Sequence, residues 1–149
     1  MEQKLGRTVG IQAAAIDFFE TQQPSDFLAI STLQAPDTAA KTGEEWIQKA
    51  YTPGYYLEKL KEEMLRAKRY KHALSSIMID VDEFRKVNEV LGYEVGDRIL
   101  TVVVKIIKRA IRTVDILTRY SGDRFMLILP NTNKREAMEL AERLRASIN

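Results

Sequence analysis

The sequence predicts an α/β fold in which strand, helix, helix, strand, strand and helix follow an N-terminal helical segment. Three observations predict it. First, Ser76-Ile77-Met78-Ile79-Asp80-Val81-Asp82-Glu83-Phe84 is an apolar run that ends abruptly in carboxylates. Phe84, Val87, Val90 and Leu91 then recur at helical spacing. Second, the apolar runs at residues 115–120 and 125–129 are joined by Ser121-Gly122-Asp123-Arg124, the pattern of a β-hairpin. Third, the stretches between and after these runs carry apolar residues at a period near 3.6.

Taken in order, residues 1–20 carry Val9, Ile11, Ala13, Ala14, Ala15, Ile16, Phe18 and Phe19 and predict a short helix, broken by the Gln-Gln-Pro-Ser-Asp run at 22–26. Residues 31–44 read as a linker. Residues 1–50 are thus read as an N-terminal helical and linker segment that fits the tail of something upstream or a small docking element, and 51–149 are the domain. After the turn at 51–54, a long amphipathic helix is predicted with Tyr56, Leu57, Leu60, Met64, Leu65 and Ala67 on one stripe. Glu62 and Arg66 are spaced for an i,i+4 pair. His72 reads as a solvated residue in the basic turn that follows. The core strand covers 74–81, a helix starts near Asp82, and Gly92 is placed as its C-cap.

Residues 93–97 are predicted as a connection. A helix over 97–111 buries Ile99, Leu100, Val103, Ile106, Ile107 and Ala110; the Val102-Val103-Val104 run tempts a strand reading, but the length favours helix. The hairpin follows, and Asn133 or Thr132 caps a last helix with Ala137, Leu140, Ala141, Leu144 and Ile148 buried.

The bulk numbers narrow the chemistry. The chain has 149 residues, 45% hydrophobic and 30% charged, the composition of an ordinary globular domain. A net charge of +2, from 23 basic and 21 acidic residues, argues against a dedicated nucleic-acid binder. With no cysteine and one histidine, disulfides, thiolate sites and multi-histidine metal sites are excluded. No apolar run has the length of a membrane span, and a cytoplasmic location is the default.

Asp80 sits where a buried strand meets a helix start, the place where open α/β sheets bind ligands. Helix N-termini offer N–H groups to phosphate, and an adjacent carboxylate can hold a hard cation. Gly122-Asp123 supplies a second acidic turn. These are parts for metal-dependent chemistry on a nucleotide. Taken singly, each residue keeps a plainer reading: Asp82 or Asp97 as a helix cap, and Asn88 as an exposed helical residue.

The motifs in sequence resemble the GGDEF domain of diguanylate cyclases over about residues 52–149. Thr52, Gly54, Tyr55 and Tyr56 resemble the family's entry motif, with Pro53 where a basic residue is usual. Asp80, Asp82, Phe84, Arg85 and Asn88 match its Asp-x-Asp-x-Phe-Lys-x-x-Asn segment. Gly92-Tyr93-Glu94-Val95-Gly96-Asp97 matches Gly-His-x-x-Gly-Asp, with Tyr93 for His. Arg119-Tyr120-Ser121-Gly122-Asp123-Arg124-Phe125 stands in place of Arg-Tyr-Gly-Gly-Asp-Glu-Phe.

The resemblance implies a polymerase-palm-like, nucleotidyl-cyclase-like sandwich whose C-terminal strands are missing here, so the chain is read as a fragment rather than the alternative, a naturally shortened relative. It implies condensation of two GTP molecules on facing domains of a homodimer into cyclic di-GMP, with Mg²⁺ or Mn²⁺. By resemblance Asp80 and Asp123 are catalytic and hold the metal with the Val81 carbonyl. Asn88 and Asp97 read guanine, and backbone N–H groups near Phe84 and Arg85 take the phosphates.

Arg112 and Asp115 form an Arg-x-x-Asp pair that resembles the family's inhibitory product site; the plainer reading is a surface ion pair. An upstream sensory domain is implied as partner, and no nucleic acid or membrane within this chain. Arg124 reverses a charge beside the metal site and predicts impaired turnover. Alternatives are a cyclic di-GMP receptor acting through Arg112 and Asp115, or a dimerisation and GTP-sensing module. A sheet lacking its last strands predicts an exposed edge that invites pairing.

Overall fold

The computed structural model describes residues 11–17 and 53–148. Its elements are β1 (Ile11–Asp17), α1 (Pro53–Tyr70), β2 (Leu74–Val81), α2 (Phe84–Leu91), α3 (Tyr93–Ala110), β3 (Ile116–Ser121), β4 (Arg124–Pro130) and α4 (Lys134–Ile148). The four strands form one sheet in the order β1-β2-β4-β3, antiparallel throughout. From β2 onward this is the predicted α/β succession.

The N-terminal expectation is corrected. Ile11–Asp17 is not helical but a strand, paired with β2 from Ile11↔Val81 to Asp17↔Ser75. Its three alanines favour helix in isolation. The outer edge of β2 offers a row of N–H and C=O groups whose pairing overrides that local preference. β1 thus covers one edge of β2, and β3 forms the opposite edge of the sheet. The other expectations for residues 1–50 fall outside the described residues.

Strand alternation sorts β2 onto two faces. Ile77, Ile79 and Val81 pack with Phe125, Leu127 and Leu129 of β4 against Leu100, Val103, Val104 and Ile107 of α3 and Ala137, Ala141 and Leu144 of α4. The opposite face carries Leu74, which joins Tyr120, Met126 and Ile128 under Tyr56, Leu60 and Ala67 of α1. Each fully buried aliphatic or aromatic side chain in these two cores contributes about 1.5–3 kcal/mol. Three buried hydroxyls are tied in: the Tyr56 hydroxyl meets Ser76 Oγ at 3.0 Å, Ser76 Oγ donates to the Leu127 carbonyl at 2.7 Å, and Ser75 Oγ donates to the Thr132 carbonyl at 2.9 Å.

Helix boundaries follow local chemistry. Pro53 opens α1, where a missing N–H costs nothing. The stripe of α1 is narrower than predicted, because Leu57 and Leu65 are exposed. The predicted Glu62–Arg66 pair does not form; Lys59 pairs with Glu62 at 2.8 Å, and Arg66 turns to the buried Glu63 at 2.6 Å. Asn133 caps α4 reciprocally: its Oδ1 accepts the Glu136 N–H at 3.0 Å and its own N–H donates to Glu136 Oε2 at 2.9 Å.

Two boundaries differ from the sequence-based expectation. Asp82 is not the cap of α2; Glu83 holds that position in the left-handed region, φ 54°, with no side-chain cap bond. Residues 93–97 are not a connection but the first turns of α3, so Asp97 lies inside the helix and caps nothing. One glycine makes this possible. Gly92, at φ 84°, ends α2 and begins α3 with no intervening loop.

Candidate nucleotide site

The site collects at one end of the sheet. β2 delivers Asp80 onto the face shared with Leu74 and Ser76, and α1 covers the Leu74 end only. Met78 is exposed and Asp80 half-exposed. Arg124 is the ladder partner of Asp80. The two-residue turn Gly122–Asp123 bridges β3 and β4, with positive φ at Gly122, as a short hairpin loop requires. The Asp123 carbonyl accepts the Val81 N–H at 3.3 Å, which pins the turn to the end of β2. Arg119 Nε donates to the Gly122 carbonyl at 2.7 Å and braces the same turn.

Asp80 and Asp123 are thereby brought together. Burial raises the Asp123 pKa, and the charge of Asp80 adds to the rise. A hydrogen bond from its own backbone, then Arg124 and Arg119, act in the opposite sense. The Arg124 Nε–H donates to Asp80 Oδ2 at 2.9 Å. A divalent ion at this place would meet the positive charge of Arg124; at about 4 Å even unit charges interact by roughly 1 kcal/mol in water and several times more near a protein surface. Among the described residues no group of three or more acidic or histidine side chains gathers as an ion site. As arranged, these donors do not form a cage for a divalent ion.

The second part of the site lies between α2 and α3. Asn88 Oδ1 is buried and has no hydrogen-bond partner. Gly96 of α3 approaches it so closely that a Cβ there would stand 1.9 Å from Asn88 Oδ1 and 3.2 Å from the Phe84 ring. Asp97 follows directly, exposed to solvent. An unsatisfied buried acceptor costs about 1–3 kcal/mol, and ligand N–H donors would relieve it.

Phe84 is a core side chain at the first turn of α2, so any phosphate contact there belongs to its backbone. Arg85 is exposed and pairs with Glu89 at 2.9 Å.

Arg112 and Asp115 lie elsewhere, at the start of β3. Asp115 is buried and receives the Arg112 backbone N–H at 2.8 Å, Nε at 3.2 Å and Nη2 at 2.8 Å. Nη2 also donates to the Pro130 carbonyl at 3.0 Å and to Thr132 Oγ1 at 2.7 Å. The guanidinium therefore stitches the start of β3 to the β4–α4 junction. Sequence reasoning missed this role, because Pro130 and Thr132 are far from Arg112 in the chain. It also missed Gly96 as the residue that lets α3 close on Asn88, although the Gly-x-x-x-Gly spacing from Gly92 was visible.

Comparison with known proteins gives one family. Residues 54–149 match the profile described as "Diguanylate cyclase, GGDEF domain". Diguanylate cyclase A of Treponema denticola is 44% identical over 78 residues, 52% of this chain and 21% of that protein. Diguanylate cyclase DosC of Escherichia coli is 35% identical over 88 residues, 59% of this chain and 19% of that protein. The chain spans about a fifth or less of the curated relatives it matches.

Among solved structures, the active GGEEF domain of a diguanylate cyclase from Vibrio cholerae aligns with TM-score 0.56 and 34% identity, covering 58% of this chain and 55% of that one. Diguanylate cyclase SiaD of Pseudomonas aeruginosa, solved with its activator SiaC, aligns with TM-score 0.62 and 28% identity, covering 83% and 44%.

Proposed function

The chain belongs to the GGDEF family of diguanylate cyclases, and from that premise we propose that its domain holds a guanine nucleotide for cyclic di-GMP signalling, with turnover restrained by Arg124. The observation that carries the reading is the orphaned acceptor of Asn88. The Watson–Crick edge of guanine presents N–H donors. Asn88 Oδ1 can accept one, and the Asp97 carboxylate, one residue beyond Gly96, can accept others. The backbone N–H groups near Phe84 and Arg85 start α2 and suit phosphate.

In the full reaction the domain would face a second copy of itself, each holding one GTP. The 3′-oxygen of each ribose attacks the α-phosphate of the other nucleotide, and two pyrophosphates leave. Asp80 and Asp123 stand at the phosphate end of such a site. Ligation of Mg²⁺ or Mn²⁺ by Asp80, Asp123 and the Val81 carbonyl would require Arg124 to leave Asp80. The domain therefore binds better than it turns over. An upstream sensory domain, a cytoplasmic location and product inhibition at Arg112 and Asp115 belong to the same proposal; the last requires Arg112 to release Thr132 and Pro130.

No helix among the described residues is long and apolar enough to cross a membrane.

The test is cyclic di-GMP formation from GTP and Mg²⁺, read by mass spectrometry beside GTP binding by calorimetry. The expected result is binding by the unaltered chain, lost in Asn88→Ala, with product from Arg124→Glu alone. Rapid product from the unaltered chain would sink the restraint by Arg124. Absence of both binding and product from every variant would sink the nucleotide reading.

A further inference from the structure

Asp80 and Arg124 are directly opposed across the β2–β4 ladder, so strand register places the pair. Both stand on the sheet face that α1 leaves open at this end. Arg124 holds Asp80 through a single charge-assisted bond, Nε to Oδ2 at 2.9 Å. Its remaining N–H donors are arranged in a planar fork suited to phosphate oxygens. The guanidinium is a cation. Being tethered, it is supplied to Asp80 at an effective concentration that buffer composition does not change. A solution ion would have to displace it or settle against its charge.

We propose that Arg124 is a built-in counter-cation, so that this site takes the polyphosphate of a nucleoside triphosphate without a divalent ion. The proposal rests on the nucleotide reading above. The pair is half-exposed on both sides, 48% for Arg124 and 34% for Asp80, so the fork is free to swing from carboxylate to phosphate without disturbing the core.

The experiment is calorimetric titration of GTP into the chain, in excess EDTA and in excess Mg²⁺, with Arg124→Glu and Arg124→Gln alongside. The dissociation constant of the unaltered chain is expected to agree within about twofold between the two conditions. Arg124→Glu is expected to bind at least about tenfold more tightly with Mg²⁺, and Arg124→Gln to weaken in EDTA by about tenfold.

A tenfold or greater loss by the unaltered chain in EDTA, on the order of 1.4 kcal/mol, overturns the proposal. So does metal indifference in all three proteins. GTP binding by Arg124→Glu with Mg²⁺, but never by the unaltered chain, overturns the counter-cation and spares the nucleotide reading. No binding by any of the three removes both. Mn²⁺ alone, followed by its electron paramagnetic resonance signal, is an independent check. It should stay free beside the unaltered chain and bind Arg124→Glu; uptake by the unaltered chain overturns the proposal.

Discussion

Among the described residues, two arginine–aspartate pairs differ in nearly everything except residue type. At the start of β3, Asp115 is buried and Arg112 grips it with three N–H donors while also bonding Pro130 and Thr132. At the far end of β2, Asp80 is half-exposed and Arg124 holds it with one. The first pair is architecture as it stands, because releasing it strands a buried carboxylate and frees the β4–α4 junction, so a ligand there must first displace bonds the fold uses. The second is exchangeable, because water or a ligand can take over either partner. Burial and the number of bonds, not the identity of the side chains, decide whether such a pair serves structure or binding.

Four substitutions break or sharpen this contrast. Arg112→Ala is expected to lower stability by about 2–3 kcal/mol, measured by urea unfolding, because Asp115 loses its charged partner and keeps only the backbone N–H. A loss as small as that of a surface pair would erase the distinction. Gly96→Ala pushes Asn88 from its place and crowds the Phe84 ring; GTP affinity should fall by about tenfold, with a modest loss of melting temperature as Asn88 rotates away and the ring gives by a few tenths of an ångström.

Asp123→Asn probes the open end by pH. The folded Asp123 carboxyl has a raised pKa, so its ionisation opposes folding. Stability carried by the protonated form is present below the unfolded pKa and is lost as pH rises through the folded one. The substitution should therefore stabilise the chain above that window and have little effect below it, checked by thermal melts across pH. Arg124→Ala should change stability least, within about 0.5 kcal/mol, since the pair it breaks is exposed. A larger loss would make Arg124 structural and collapse the comparison.

The readable parts of the sequence were those where local pattern and tertiary demand agree. The β2 run, the Gly122-Asp123 hairpin, the α3 stripe and the Asn133 cap all satisfy their own periodicity or hydrogen bonding and could be placed from residue type. The strand at Ile11–Asp17 could not, because its alanines favour helix and its pairing partner lies far along the chain. The start of α3 was hidden by Gly92 and Gly96, which read as loop residues. One serves a positive φ and the other a close helix approach. At the site, the opposition of Asp80 and Arg124 depends on β2–β4 register, which residue type alone does not reveal. The same holds for the reach of Arg112 to Thr132.

The pairing of β1 with β2 also sets an order of events in folding. The β3–β4 hairpin closes across two residues and can form within microseconds. No bond of the β1–β2 ladder can form until the chain from Asp17 to Ser75 has been looped back, at an entropic cost that only an already assembled β2 edge repays. β1 is therefore the last strand to dock and the first to peel away. In hydrogen exchange its amides should lose protection by a sub-global opening that leaves β2–β4 and the helices intact.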